Sequence, residues 1–465
     1  MFQTFVNIFK IPELRSKILF TLAMLGVFRI GHWIPMPGVN QDQLRKVMEQ
    51  TTESGNTVGA LAQAVSIFSG GTLNHSTIFG LGIMPYITAG IIFQLLGQAL
   101  PALKKLQEEG PTGRTKIMEY TRYATVALCL VQGFGWLAYL KGQQLIYPEF
   151  AANPLWWVMA VACLSGGCVF LMWIGEQIDK HGIGNGASMI IMAGIIAGIP
   201  RAISSIYSNF DPGTQGKLGY MSIICLAAGF FFVIAGSVLM TVAQRRIPVQ
   251  QAKHTRGRRV FGGQRSYLPL RINHGGVMPV IFASSLMIFP PILFQQVYQV
   301  ISAKWGSLST GAVVARFFDI NFAQGAFLFI VAEVLLIYFF SYFWITVQFN
   351  PEEMSKQLKE SGSFIPGLRP GPRTAEYLET VMNRVTFVGA GFLALVAVLP
   401  VVINKSMNID FAITQFLGGT GLLIVVSVCM DFLQRVEANL MMRNYAGFLS
   451  KDGEEGGPRF RGAKN

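Results

Sequence analysis

A strongly basic stretch lies between Thr241 and Asn273. It contains eight Lys or Arg residues and no Asp or Glu. Guanidinium groups bind phosphate oxygens in pairs and ammonium groups bind them as point charges, so such a cluster can bind a large anionic partner. A cluster that only orients a membrane protein is the alternative, but eight charges exceed what orientation requires. The arginines that we expect to bind are Arg245, Arg246, Arg256, Arg258 and Arg259.

Residues that could support catalysis are scarce in the rest of the chain. Arg29 and Glu333 are the two ionisable residues that clearly interrupt apolar runs. There is no G-x-x-x-x-G-K-[ST], H-E-x-x-H or G-x-S-x-G motif. Residues 182–186, Gly-Ile-Gly-Asn-Gly, look like a nucleotide-binding loop, but they open an apolar helix and follow no strand. We therefore predict no enzyme and no bound metal or cofactor.

The elements that hold these residues are predicted to lie in a membrane. Hydrophobic residues make up 52 % of the chain, charged residues make up 13 %, and the mean hydropathy is positive. We predict an all-α polytopic membrane protein with ten transmembrane helices, because ten apolar runs can each supply the ~20 residues of a span. The runs are 18–34, 54–103, 123–140, 150–175, 182–200, 218–244, 275–303, 320–351, 385–404 and 411–430.

The positive charges predict the orientation of these spans. If the N-terminus is cytoplasmic, 28 of the 37 Lys and Arg residues lie on the cytoplasmic side, 8 lie on the far side, and Arg29 lies within the first span. This asymmetry is typical of correctly counted spans. It predicts that both termini are cytoplasmic, in a multi-pass protein of the cell inner membrane.

The second apolar run is too long for one span. Residues 69–72 interrupt it, and a short helix before a full span can lie at membrane depth only where protein or a water-filled cavity shelters its backbone. We predict a re-entrant helix here, although an exterior loop fits the composition equally well. Ten spans also divide into two sets of five around residues 201–217, which predicts two inverted halves.

Six long segments resemble the SecY family, the central channel subunits of the bacterial protein-translocation machinery. Together they cover essentially the whole chain, in order. Three of them are FSGGTLNHSTIFGLGIMPYITAGIIFQLL from Phe68, GIGNGASMIIMAGIIAGIP from Gly182 and RRIPVQQAKHTRGRRVFGGQRSYLPLRIN from Arg245. The others are FRIGHWIPMPGVN from Phe28, FIPGLRPGPRTAEYL from Phe364 and GGTGLLIVVSVCMDF from Gly418.

The resemblance implies a conduit for unfolded polypeptide with a central hourglass pore. Its halves are expected at 1–200, with spans 1–5, and at 218–436, with spans 6–10; residues 201–217 form the hinge loop. The cytoplasmic loops are expected at 243–274 and 348–384, and a tail at 437–465 that ends in disorder. Isoleucines in membrane helices usually pack or face lipid, and only the motif match assigns a pore ring. That ring comprises Ile83, Ile87, Ile191, Ile195, Ile281 and Ile424.

The resemblance also implies two moving parts. A plug at about 62–75 would close the exterior side of the pore, with Gly70 and Gly71 as flexible joints or as ordinary helix termini. A lateral gate would open between the second and third spans and the seventh and eighth, at Thr88, Gln132 and Asn273, admitting signal sequences. The plug residues are Phe68, Ser69, Gly70, Gly71 and Thr72.

The partners implied by the resemblance lie on several sides of the channel. The basic loop and the loop that carries Arg369 would bind the ATPase SecA or the ribosome, including its RNA and proteins. SecE and SecG would be the small membrane subunits, nascent polypeptide would fill the pore, and lipid would face the gate. An ion-coupled transporter is the alternative, supported only by Glu333. An intramembrane enzyme ranks last because no Asp, His or Ser constellation is present.

Overall fold

The computed structural model describes most of the apolar runs and the basic loop. The described residues are 12–44, 76–208, 210, 219–251, 254–256, 259–261, 265–287, 290–291, 293–294, 297–298, 301–302, 310–322, 325–407 and 419–449. All structural statements below concern these residues.

Helices dominate the described chain, and five short strands lie among them. The helices are α1 (Pro12–Gly31), α2 (Met84–Ala99), α3 (Pro101–Glu108), α4 (Pro111–Gly142), α5 (Pro148–Ala151), α6 (Pro154–His181), α7 (Gly186–Ser208), α8 (Tyr220–Val242), α9 (Met278–Leu286), α10 (Thr310–Asn321), α11 (Phe327–Gln348), α12 (Pro351–Glu360), α13 (Pro372–Met407) and α14 (Thr420–Leu449). The strands are β1 (Gln244–Gln251), β2 (His254–Arg256), β3 (Arg259–Phe261), β4 (Arg265–Arg271) and β5 (Ser363–Phe364).

Six helical segments in the described chain are long and apolar enough to cross a membrane, and a bent pair raises the number to seven. The polytopic helical architecture is thus present, while the count of ten, the two inverted halves and the re-entrant plug stay predictions. The six segments are Pro111–Gly142, Pro154–His181, Gly186–Ser208, Tyr220–Val242, Phe327–Glu360 and Pro372–Ile403.

The bent pair consists of α2 and α3, which meet at an angle of 104°. Leu100 adopts an extended backbone, and Pro101 at the first position of α3 supplies no N–H to continue α2. In α3 the side chains of Lys104 and Lys105 are exposed, whereas Leu106 is half-buried. A helix with this distribution is amphipathic, so α3 is suited to lie along a membrane surface.

Helix α6 is the central scaffold of the first part of the chain. It packs against α1, α4 and α7. Small residues permit two close backbone approaches, since the Ile78 carbonyl lies over Gly167, and Gly175 lies against Gly186 at the start of α7. The later helices pack in two groups: α9 with α11 and α11 with α13, and α14 with α7 and α8.

The prediction of an all-α protein is wrong for the basic loop. β1 pairs antiparallel with β4 and with β5 in a three-stranded sheet of order β4-β1-β5, and β2 pairs with β3. Ile247 and Val249 alternate with exposed residues in β1 and pack into a small core with Leu270. Burial at every second residue is the period of a strand, and Pro248 and Pro269 exclude a regular helix.

Candidate functional site

All six isoleucines predicted for the pore ring lie in one buried hydrophobic cluster, here called the isoleucine cluster. Their exposed fractions range from 1 % to 8 %. They come from segments that are far apart in the sequence: the N-terminus of α2, then α7, α9 and α14. The six predicted pore residues in it are Ile83, Ile87, Ile191, Ile195, Ile281 and Ile424, and other buried residues such as Ile174, Phe282 and Leu423 belong to the same cluster.

Local sequence explains how α2 presents its two isoleucines. Gly82 has a φ of +59°, a conformation that glycine adopts at little cost, and α2 begins immediately after Ile83. The Ile87 amide donates to the Ile83 carbonyl at 3.2 Å, so the two side chains lie one turn apart on one face. Ile191 and Ile195 have the same spacing in α7. Such an apolar assembly can exclude water and ions, yet holds no hydrogen bond that a passing chain must break.

The predicted plug residues, Phe68, Ser69, Gly70, Gly71 and Thr72, lie outside the described residues, as does all of 62–75. Described residues before position 45 are hydrogen-bonded to described residues after position 75. The Met36 amide donates to the Ser76 carbonyl at 2.9 Å, and the Ile78 amide donates to the Ile34 carbonyl at 3.1 Å. The Trp156 indole N–H donates to the Pro37 carbonyl at 3.0 Å.

The structure does not join the predicted gate residues by hydrogen bonds within the described chain. Thr88 in α2, Gln132 in α4 and Asn273 before α9 are each half-buried. The Thr88 hydroxyl donates to the Met84 carbonyl of its own helix at 2.9 Å. Helix α2 packs on α4, and α9 packs on α11. Thr88 and Gln132 thus lie on one packed pair of helices, Asn273 precedes a helix of the other pair, and the gate stays a prediction.

The basic loop forms a β-hairpin, and we call residues 244–271 the basic hairpin. Arg245 and Arg246 are exposed on β1, opposite Leu270 and Pro269 of β4. Arg256 and Arg259 are partners in the register of β2 and β3, and Arg258 lies outside the described residues. Among the residues whose side chains are described, Arg245 and Arg246 on β1 and Arg265 and Arg271 on β4 are exposed on paired strands.

The loop that carries Arg369, residues 365–371, adjoins the same sheet. Phe364 of β5 pairs with Gln250 of β1, which places the start of this loop beside the basic hairpin. Thr374 donates a hydrogen bond to the Arg369 carbonyl at 2.9 Å, while the Arg369 side chain is exposed. The structure thus holds the backbone of this loop and leaves the guanidinium group available to a partner.

His274 lies at the junction between the hairpin and α9. Its ring contacts Phe349 edge-on, with centroids 6.2 Å apart, and its Nδ1 has no hydrogen-bond partner among the described residues. Burial, and secondarily the charge of Arg271, lowers the pKa of His274 below its ordinary value of 6.5. The neutral imidazole is therefore favoured at this junction.

The sequence reasoning missed an ion pair between α4 and α6. Arg122 Nε and Nη2 donate to Glu176 Oε1 and Oε2, both at 2.7 Å. The two residues are 54 positions apart, and each stands at the end of an apolar run, where charges are ordinary. Glu333, the carboxylate that the transporter alternative requires, is buried in α11.

Comparison with known proteins agrees with the architecture and with the sequence motifs. A family model described as SecY matches residues 77–433. A protein translocase subunit SecY from Halalkalibacterium halodurans is 42 % identical over 455 residues, which cover 97 % of this chain and 100 % of the relative.

Two solved structures share the fold. One is titled "The structure of a protein conducting channel", with a TM-score of 0.58 and 17 % identity over 95 % of each chain. The other, Sec61 in the canine ribosome-channel complex, has a TM-score of 0.56 and 16 % identity, again over 95 % of each chain. The family match over most of the sequence and the close bacterial relative lead to one conclusion: the chain belongs to the SecY family.

Proposed function

We propose that the chain is the pore subunit of a protein translocase, which moves unfolded secretory polypeptides across the cytoplasmic membrane and inserts membrane proteins into it. The observation that carries this proposal is the isoleucine cluster. Four separate elements contribute its six predicted pore isoleucines, so displacement of one helix group from another would open a path lined by aliphatic side chains. Aliphatic side chains adapt to any passing sequence because they require no specific hydrogen bonds.

In this proposal the channel has two inverted five-helix halves, 1–200 and 218–436, hinged at 201–217. A signal sequence enters beside Thr88, Gln132 and Asn273, the halves separate, and the plug at 62–75 leaves the pore. Uncharged polar groups suit such a gate, because a hydrogen bond between membrane helices contributes only about 0.6 kcal/mol. An entering segment would therefore meet little resistance from such groups.

Energy for transport is proposed to come from partners on the side of the basic hairpin. SecA and the ribosome are the two candidates, and both termini share their compartment, the cytoplasm. The observation that supports this is the single sheet that adjoins both the hairpin cations and the Arg369 loop. A relative in fold is a channel in complex with the ribosome. SecE and SecG are proposed as the small membrane partners.

Site-specific crosslinking tests the polypeptide path. Photoreactive residues at Ile87 and Ile195 are expected to crosslink to a stalled secretory chain in membranes that contain SecA and ATP. The matched control is Val158 in α6, which is 69 % exposed and lies outside the isoleucine cluster. Silence at Ile87 and Ile195 in an active complex, or equal crosslinking from Val158, would contradict the proposed path.

A further inference from the structure

Helices α4 and α6 pack against each other in an antiparallel arrangement. Arg122 pairs with Glu176 at one end. Further along, Cys129 of α4 and Cys168 of α6 are both buried in one hydrophobic cluster. The position where Gly133 would carry a Cβ lies 3.8 Å from Leu164. Later positions in α4 therefore lie beside earlier positions in α6, as in an antiparallel helix pair.

The Arg122–Glu176 ion pair lies at one end of the contact between α4 and α6, and it is the strongest directional contact between these helices. The guanidinium Nε donates to one carboxylate oxygen and its Nη2 donates to the other. This paired geometry restricts the arginine side chain strongly. The side chain of Arg122 is 40 % exposed and that of Glu176 is 17 % exposed, so solvent screens the pair only in part. A shift of α4 along α6 by a single residue, about 1.5 Å, would break the paired geometry.

The pair also borders the helix that carries Ile83 and Ile87. Tyr86 lies between these two residues in α2, within electrostatic range of Arg122, Glu176 and Asp179. Tyr86 packs against the isoleucine cluster as well. The three helices α2, α4 and α6 thus meet around the ion pair, and Tyr86 of α2 also borders the proposed constriction.

We propose that Arg122 is a positioning residue of the gate: through Glu176 it fixes α4 to the scaffold helix α6, and this keeps α2 and its isoleucines in the closed arrangement. The inference rests on the proposed channel function. A channel without this contact opens more readily, so it discriminates less against chains with defective signal sequences.

The test measures transport of two substrates that differ only in their signal sequence, one intact and one defective, by the full complex in membranes. Arg122→Gln and Glu176→Gln are each expected to raise the ratio of defective to intact transport by about five- to tenfold. The reversed pair, Arg122→Glu with Glu176→Arg, is expected to return the ratio to within about twofold of the unmodified protein. A loss of fold would lower transport of both substrates and could not produce this pattern.

Arg114→Gln is the matched control. Arg114 is an exposed arginine of the same helix, α4, and it lies outside the Arg122–Glu176 pair. If Arg122→Gln does not accumulate, Arg122→Lys replaces it, since lysine keeps the charge and loses the paired geometry. The inference is overturned if the single variants leave the ratio of defective to intact transport unchanged. It is also overturned if the reversed pair keeps that ratio as high as the single variants do. Failure of the unmodified protein to transport either substrate would instead contradict the proposed function.

Discussion

Gln250 in β1 pairs with Phe364 in β5, and this contact joins the basic hairpin and the Arg369 loop in one sheet. A partner that binds the hairpin therefore meets Arg369 on a surface of fixed geometry. The core under the sheet contains Ile247 and Val249 from the hairpin, Ile345 from α11 and Leu378 from α13. Force applied to the hairpin is thus transmitted directly to two long helices.

Reversal of charge at Arg369 is expected to reduce SecA-driven transport at least tenfold, because the exposed guanidinium would no longer attract an anionic partner. Transport of a secretory substrate into membrane vesicles measures this effect. Lys359→Glu in α12 is the matched control, since Lys359 is also exposed but does not lie in the loop. Loss of the folded protein in Arg369→Glu would assign a structural role to the residue instead.

A polar substitution in the isoleucine cluster is expected to weaken the closed state. Ile191→Asn buries an amide without a partner, at a cost of about 1–3 kcal/mol, so the resting channel should open about five- to a hundredfold more often. Ion conductance of the resting channel in planar bilayers measures this change. Val158→Asn, at an exposed position of α6, should leave conductance unaltered; equal leakage from both variants would contradict the seal.

A covalent link across the gate is expected to stop transport. Thr88→Cys combined with Ser284→Cys, near Ile281, places one thiol in α2 and one in α9. A disulfide formed by a copper–phenanthroline oxidant should block a secretory substrate, and reduction should restore its transport. The unmodified protein with its own five cysteines, treated with the same oxidant, is the control. Full transport through a demonstrably crosslinked channel would refute the gate.

The stability of the junction below the hairpin is expected to depend on pH. The folded protein holds the pKa of His274 below the ordinary 6.5, so the unfolded chain binds the proton more readily as the pH falls below about 6.5. Above about pH 6.5 the neutral imidazole makes its full contribution to the free energy of unfolding. As the pH falls from about 6.5 toward the lower pKa of the folded protein, this contribution is lost. Thermal unfolding in detergent between pH 5 and 7.5 measures this slope, which His274→Asn should reduce.

The sequence predicted the helical membrane architecture because apolar length and charge asymmetry depend only on composition along the chain. Ile83 and Ile87 could be assigned to a pore only through the motif resemblance, since spacing cannot distinguish a pore face from a lipid face. The strands of the basic hairpin were missed because Ile247 and Val249 give too short an alternation to separate a strand from a loop. The Arg122–Glu176 pair depends on how two distant helices align, which no local pattern encodes.

The bend between α2 and α3 at Leu100 has a consequence for the lipid beside α2. Helix α2 has 16 residues, which rise about 24 Å, whereas the hydrocarbon core of a bilayer is about 30 Å thick. The exposed side chains of Ile92 and Leu96 lie on this short helix, and α3 turns away at 104° with Lys104 and Lys105 exposed. Where α2 faces lipid, the bilayer is expected to thin toward the length of this helix. A polypeptide segment that leaves the channel there would enter a thinner, more easily deformed part of the bilayer.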